Sequence, residues 1–130
     1  MTKLRKQSKA SLPKLKRKVW RLFSAYIKKR DGNRCISCGK TGLVGANWQA
    51  GHYIKAELCN LVYRYDERNV NSQCGYCNKW CAGNSTAYRN AMLDKYGVKA
   101  VKELDKHYKD PLPLNFDTRA FYTKLIEEYK

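Results

Sequence analysis

Two C-x2-C pairs, Cys35-Ile-Ser-Cys38 and Cys74-Gly-Tyr-Cys77, constrain this chain more than any other feature. Each pair turns tightly enough to aim two thiolates at one ion, and two pairs complete the tetrahedral sulfur shell that Zn²⁺ prefers. A four-sulfur shell has no open position for water. The expected ion is therefore structural, closing the loop of residues 39–73 and coupling metal binding to folding. A staple matters because 130 residues make about one domain, and a core that small buries a modest share of its surface. Iron–sulfur binding and a redox dithiol are the rival readings of the same pairs. Cys59 and Cys81 fall outside the spacing. They are expected to be small buried residues, with Cys81 near enough to the second pair to serve as a substitute ligand. No apolar run approaches the roughly 20 residues of a membrane span, and the basic N-terminus is not followed by the apolar block of a secretory signal. The expectation is a cytoplasmic protein with reduced thiols, where paired cysteines hold metal more often than they form disulfides.

The charge is as lopsided as the cysteines are regular. The chain has 27 Lys and Arg against 11 Asp and Glu, a formal net charge of +16. Thirteen of those basic residues and only one acid, Asp31, fall within residues 1–34. So dense a block attracts a polyanion and releases counterions from it, which makes nucleic acid the expected partner. A solubilising tail or a contact with acidic membranes is the blander reading.

Residues 1–13, poor in apolar side chains, read as a flexible basic arm, with a single domain over 14–130. From Lys14 to Arg30, Val19, Trp20, Leu22, Phe23, Tyr26 and Ile27 recur at helical spacing, opposite a basic face that includes Lys14, Lys16, Arg17, Lys18 and Arg21. Asp31-Gly32-Asn33 should end that helix. Two strands, Trp48 to Ile54 and Leu61 to Tyr65, are expected to form a hairpin. A short helical segment is expected near Asn78 to Ala82. Ser85 or Thr86 should then cap a helix running to about Tyr96, and further helices should cover 98–109 and Asp117 to Tyr129.

Between the cysteine pairs lies Gln49-Ala50-Gly51-His52-Tyr53. One histidine on a strand is ordinarily structural. Here it falls on a hairpin tied by zinc to a helix bearing a carboxamide, in a very basic chain, and that suits a one-metal phosphodiesterase. The motifs Cys35-Ile-Ser-Cys38-Gly, Gln49-Ala-Gly-His-Tyr53, Glu67-Arg-Asn69, Gln73-Cys74, Cys77-Asn78, Gly83-Asn84 and Tyr88-Arg89, in that order over roughly residues 26–104, resemble the NinG/Rap recombination endonucleases of lambdoid phages. More broadly they resemble the HNH branch of the His-Me finger, or ββα-metal, nucleases. The resemblance implies an α+β fold with a zinc-stapled ββα-metal core over about 35–96 and flanking N- and C-terminal helices. It also implies a phage-encoded endonuclease that cuts branched DNA, such as Holliday junctions and D-loops, in the bacterial host.

Phosphodiester hydrolysis requires a deprotonated water in line with the leaving oxygen, and positive charge for the transition state. A neutral imidazole at His52 is the natural general base. Mg²⁺, with Mn²⁺ as substitute, would supply the charge while held by one or two protein oxygens. The superfamily resemblance gives Asn78 the metal-ligand position, with Asp66, Asn71 and Asn84 as alternatives. A carbonyl across the hairpin is expected to orient His52, with Asn69 fixing the loop. Arg89, Lys79 and Arg68 are candidate phosphate contacts, and Glu57 reads as a surface charge. Many HNH enzymes carry an acid or a second histidine where this chain has Gly51, and a histidine where it has Asn78. Paired nicks across a junction need two active sites, so a homodimer through residues 17–30 or 117–129 is expected. The same charge and cysteines would also serve a non-catalytic zinc-stabilised nucleic-acid-binding module. An HNH homing or restriction nuclease would share the site but add base-reading elements.

Overall fold

Four apolar residues spaced four apart, Leu15, Val19, Phe23 and Ile27, are buried along one stripe of a 20-residue helix, α1 (Leu12–Asp31). That spacing puts all four on one face. Lys14, Lys16, Arg17, Lys18 and Arg21 on the same helix are exposed. The computed structural model describes residues 9–130, so most of the arm expected over 1–13 lies outside the described residues. After α1 come β1 (Trp48–His52), a one-turn helix α2 (Leu61–Arg64), β2 (Val70–Cys74) and a π-type turn over Tyr76–Trp80. Three helices follow: α3 (Ser85–Tyr96), α4 (Val98–Lys106) and α5 (Thr118–Tyr129). The fold is mixed α+β with a small two-stranded sheet.

The described chain forms two compact units, one ending at Tyr26 and resuming at Pro113, the other spanning Ile27–Leu112. In the first, Leu15, Val19 and Phe23 of α1 and Tyr122, Leu125 and Ile126 of α5 are buried. Phe23 meets Tyr129 edge-on with ring centres 5.1 Å apart. Asp117 caps α5 by accepting a hydrogen bond from the Ala120 N–H, which satisfies one of the donors a helix start leaves open.

In the second unit β1 and β2 run antiparallel, with Trp48 opposite Cys74 and His52 opposite Val70. A hairpin was expected, but its second strand lies later than the pattern indicated. Residues Leu61–Arg64 form α2, because the Asn60 side chain accepts from the Val62 and Tyr63 N–H groups and caps a helical turn. The strand is instead Val70–Cys74, buried at all five positions although its centre is polar. Its side chains are carried inside by hydrogen bonds. Asn71 Oδ1 accepts from Arg30, Lys95 and Tyr96, and Ser72 Oγ accepts from the Trp48 indole. The end of α1 is bound to this strand as well: Arg30 donates to the Val70 carbonyl at 2.9 Å, and Asp31 accepts from the Ser72 N–H at 2.8 Å. An apolar cluster of Ile54, Cys59, Tyr88, Met92, Val101 and Leu104 packs α3 and α4 beneath the hairpin connection.

Helix α3 begins at Ser85, but neither Ser85 nor Thr86 is its cap. The N-cap position is Asn84, in the left-handed conformation (φ 50°) and without a side-chain cap bond. Its amide donates instead to Cys77 Sγ at 3.6 Å.

Candidate functional site

The cysteine pairs converge because the fold brings two turns to one end of the sheet. Cys35 and Cys38 lie on the turn after α1. Cys74 ends β2, and Cys77 follows in the π-type turn. All four Sγ atoms lie within 4.8 Å of one another, and Cys38 and Cys74 are 3.8 Å apart. A tetrahedron of sulfurs about 2.3 Å from a central zinc has edges of about 3.8 Å, so the cluster fits that ion. Backbone N–H groups of Cys38 and Cys77 point at the Sγ atoms of Cys35 and Cys74, each at 3.4 Å. Burial opposes ionisation of Cys35, yet backbone N–H donors outweigh it and bring the thiol down to about 7. That favours the thiolate at Cys35, whereas burial pushes the Cys38 and Cys77 thiols up. Cys59 is buried outside the cluster, its Sγ directed at the carbonyl of Lys55, and Cys81 is half-buried.

His52 closes β1, and its ring Nε2 lies 2.9 Å from the Arg64 carbonyl at the end of α2. A carbonyl only accepts, so Nε2 carries the proton and the ring's lone pair is on Nδ1. Burial holds the imidazole below its ordinary value, more strongly than the Arg64 carbonyl or Glu57 raise it. Asn69 is fully buried. Its Oδ1 accepts from the Ile54 N–H, while its Nδ2 donates to the Ile54 and Tyr63 carbonyls, tying the two ends of the hairpin connection together.

His52 and Asn78 line one hollow of about 360 Å³, with Lys55, Glu57 and Lys79 among its other walls. Asn78 is oriented by Gln49: its Nδ2 donates to Gln49 Oε1 at 2.8 Å, and Gln49 in turn donates to the Ala46 carbonyl at 2.7 Å. The remaining Asn78 oxygen points toward Gly51. A Cβ at residue 51 would lie 3.0 Å from it and 1.9 Å from Gln73 Oε1. That Gln73 oxygen is buried and has no hydrogen-bond partner among the described residues.

Other candidate residues are elsewhere. Arg89 lines a separate hollow of about 520 Å³ with Tyr53, Asp105 and Tyr108, and its guanidinium contacts Asp105 at 2.6 Å and the Tyr53 hydroxyl at 2.5 Å. Arg68 is held by Asp66 and Glu103, which also accounts for Asp66. Asn71 and Asn84 are engaged as described above. Sequence reasoning assigned no chemistry to Gln73 or Lys55 and set Glu57 aside. The Gln73-Cys74 step was visible as part of a motif, but the orientation of its amide was not.

Together these features define an α+β protein with a four-cysteine cluster able to hold zinc beside a histidine–asparagine hollow. A family model described as "Bacteriophage Lambda NinG protein" matches residues 1–130, and the chain belongs to the NinG family. It is 39% identical over 87 residues to Protein ninG of Salmonella phage P22, covering 66% of this chain and 41% of that protein. Protein ninG of Escherichia phage 933W is 34% identical over 108 residues (82% of this chain, 52% of the relative). The phage lambda protein is 37% identical over 86 residues, covering 65% of this chain and 41% of its own length. The chain thus spans about half the length of the curated relatives it matches. No solved structure matches it significantly. Among the described residues, no helix is long and apolar enough to cross a membrane.

Proposed function

We propose that this chain is a divalent-metal-dependent DNA endonuclease of the HNH, or His-Me finger, class, acting on branched recombination intermediates. The observation that carries the reading is the shared hollow of His52 and Asn78, built on a hairpin and the turn that follows its second strand. In this reading His52 Nδ1 takes a proton from water as the water oxygen attacks phosphorus and the bond to the 3′ oxygen breaks, the departing 3′ alkoxide taking up a proton from solvent to become the 3′-hydroxyl. The Arg64 carbonyl fixes the tautomer that permits this, and burial keeps the ring neutral at pH 7. Lys55 and Lys79 on the wall of the hollow attract the phosphate. Asn78 Oδ1 is a hard oxygen donor that would hold Mg²⁺ or Mn²⁺, and such an ion would supply positive charge for the developing negative oxygens. Asn69 positions the catalytic loop through another residue's backbone and does not touch substrate. Arg89, paired with Asp105, acts outside this hollow. The substrate class rests on the resemblance to recombination endonucleases and on the +16 charge. A homodimer is proposed as the source of two cuts.

The test is incision of a four-way junction and of matched linear duplex by wild type and His52→Ala, with Mg²⁺ or with EDTA. Wild type should nick the junction only with Mg²⁺, and His52→Ala should lose at least 100-fold in rate, as expected for removal of a general base. Undiminished nicking by His52→Ala removes it as the base. Binding without any incision would make the chain a zinc-stabilised binding module.

A further inference from the structure

Two side-chain amides, Asn78 on the wall of the hollow and Gln73 buried on the other side of Gly51, are locked so that only their oxygens remain to be used. Gln73 Nε2 donates to the Gly83 carbonyl at 2.7 Å and to Ser37 Oγ at 2.8 Å. Since the Gly83 carbonyl can only accept, the amide cannot be turned over, and Oε1 must face Gly51. The Asn78 amide is fixed in the same way by Gln49. Both oxygens therefore converge on the place where a side chain at residue 51 would begin, and glycine at that position is what lets them approach. Neither oxygen is offered a donor there, and Gln73 Oε1 is fully buried with none at all among the described residues. Burying an acceptor without a partner is costly, so a native protein retains one where something else fills its lone pairs.

We propose that Gln73 Oε1 is the second protein ligand of the divalent cation, completing with Asn78 Oδ1 a paired carboxamide site beside Gly51; this rests on the endonuclease reading above. Two neutral oxygens suit the ion expected. Mg²⁺ and Mn²⁺ take oxygen ligands in an octahedron whose adjacent oxygens are about 3 Å apart, and they keep several waters when the protein provides only one or two donors. A soft-metal site would need sulfur or imidazole instead. Two other candidate oxygens are committed: Asp66 is held by Arg68, and Asn71 Oδ1 accepts from three donors. With neutral ligands the site binds weakly by itself, and a phosphate arriving in the hollow supplies the missing negative charge.

The experiment is Mn²⁺ binding to zinc-loaded protein by calorimetry and by loss of the free-ion EPR signal, without DNA. Asn78→Ala and Gln73→Leu should each weaken binding at least tenfold at unchanged zinc content. Gln73→Glu, which retains an oxygen and adds charge, should bind at least as tightly as wild type. If Gln73→Leu binds like wild type while Asn78→Ala does not, the second ligand lies elsewhere and the endonuclease reading stands. If Asn78→Ala also binds like wild type, the cation site of that reading falls with it. Should the Gln73 variants fail to fold, wild type titrated with Mg²⁺ decides by side-chain ¹³C NMR: the Gln73 Cδ and Asn78 Cγ signals should move with one midpoint. A Gln73 signal that stays still while that of Asn78 moves overturns the proposal.

Discussion

Burial at His52 does two things with one arrangement. It sets the ring against the Arg64 carbonyl, and it lowers the pKa because the charged form loses hydration. The acid limb of the pH–rate profile should therefore lie below about pH 6.5, the ordinary imidazole value, and activity should be flat through neutrality. A limb at pH 7 or above, measured with zinc content held constant, contradicts that environment. The linkage has the same sign: a depressed histidine contributes stability that is present above its unfolded value and lost as pH falls through the folded one. Gly51 is the neighbouring residue where one atom decides. In Gly51→Ala the new methyl would meet Gln73 Oε1 at 1.9 Å and drive the amide off Gly83 and Ser37. Overpacking of this kind costs about 1–3 kcal/mol, to be read as a shifted urea midpoint at unchanged slope.

Among the elements, the end of α1 is bonded to β2 through charged side chains. Asp31 is nearly buried, and although burial opposes its ionisation, Arg30, Lys95 and the Ser72 N–H together hold its carboxyl below the usual range. Asp31→Ala leaves Arg30 charged against buried carbonyls and should cost about 3 kcal/mol. The contribution of a depressed carboxylate is present at neutral pH and fades as pH drops below about 4 through the folded value. Denaturation midpoints of wild type and variant should accordingly draw together in acid. Removing zinc with a strong chelator should destabilise residues 27–112, seen as loss of far-ultraviolet helical signal at a lower denaturant concentration, since metal binding by the four thiolates is coupled to folding. Helices α1 and α5 were legible in the sequence because Leu15, Val19, Phe23 and Ile27, and later Tyr122, Leu125 and Ile126, repeat at helical spacing. The cysteine cluster was legible because spacing alone dictates it. Strand β2 was not. Val-Asn-Ser-Gln-Cys has no apolar alternation, and its Asn71 and Ser72 side chains are inside because partners distant in sequence satisfy them. The helical signal that displaced it, Asn60 as a cap before Leu61, was present in the chain and outweighed by the β-like run that follows.

For the whole molecule, the proposed DNA binding should follow the net charge, and the structure divides the basic residues into those that are exposed and those already occupied. Lys14, Lys16, Arg17, Lys18 and Arg21 are exposed on α1, whereas Arg30, Arg68 and Arg89 are tied to carboxylates. A residue that neutralises a phosphate releases counterions, and each lost contact lowers the slope of log affinity against log salt by about 1 on duplex DNA. Replacing Lys16, Arg17 and Lys18 together by alanine should flatten that slope by up to about 3, while Arg68→Ala should leave it nearly unchanged. Because the alanine set leaves Leu15, Val19 and Phe23 untouched, its melting temperature should remain that of wild type, separating loss of charge from loss of fold. An unaltered slope in the triple variant, with a reduced one in Arg68→Ala, would move the DNA-binding face from the exposed side of α1 to the neighbourhood of the hairpin connection.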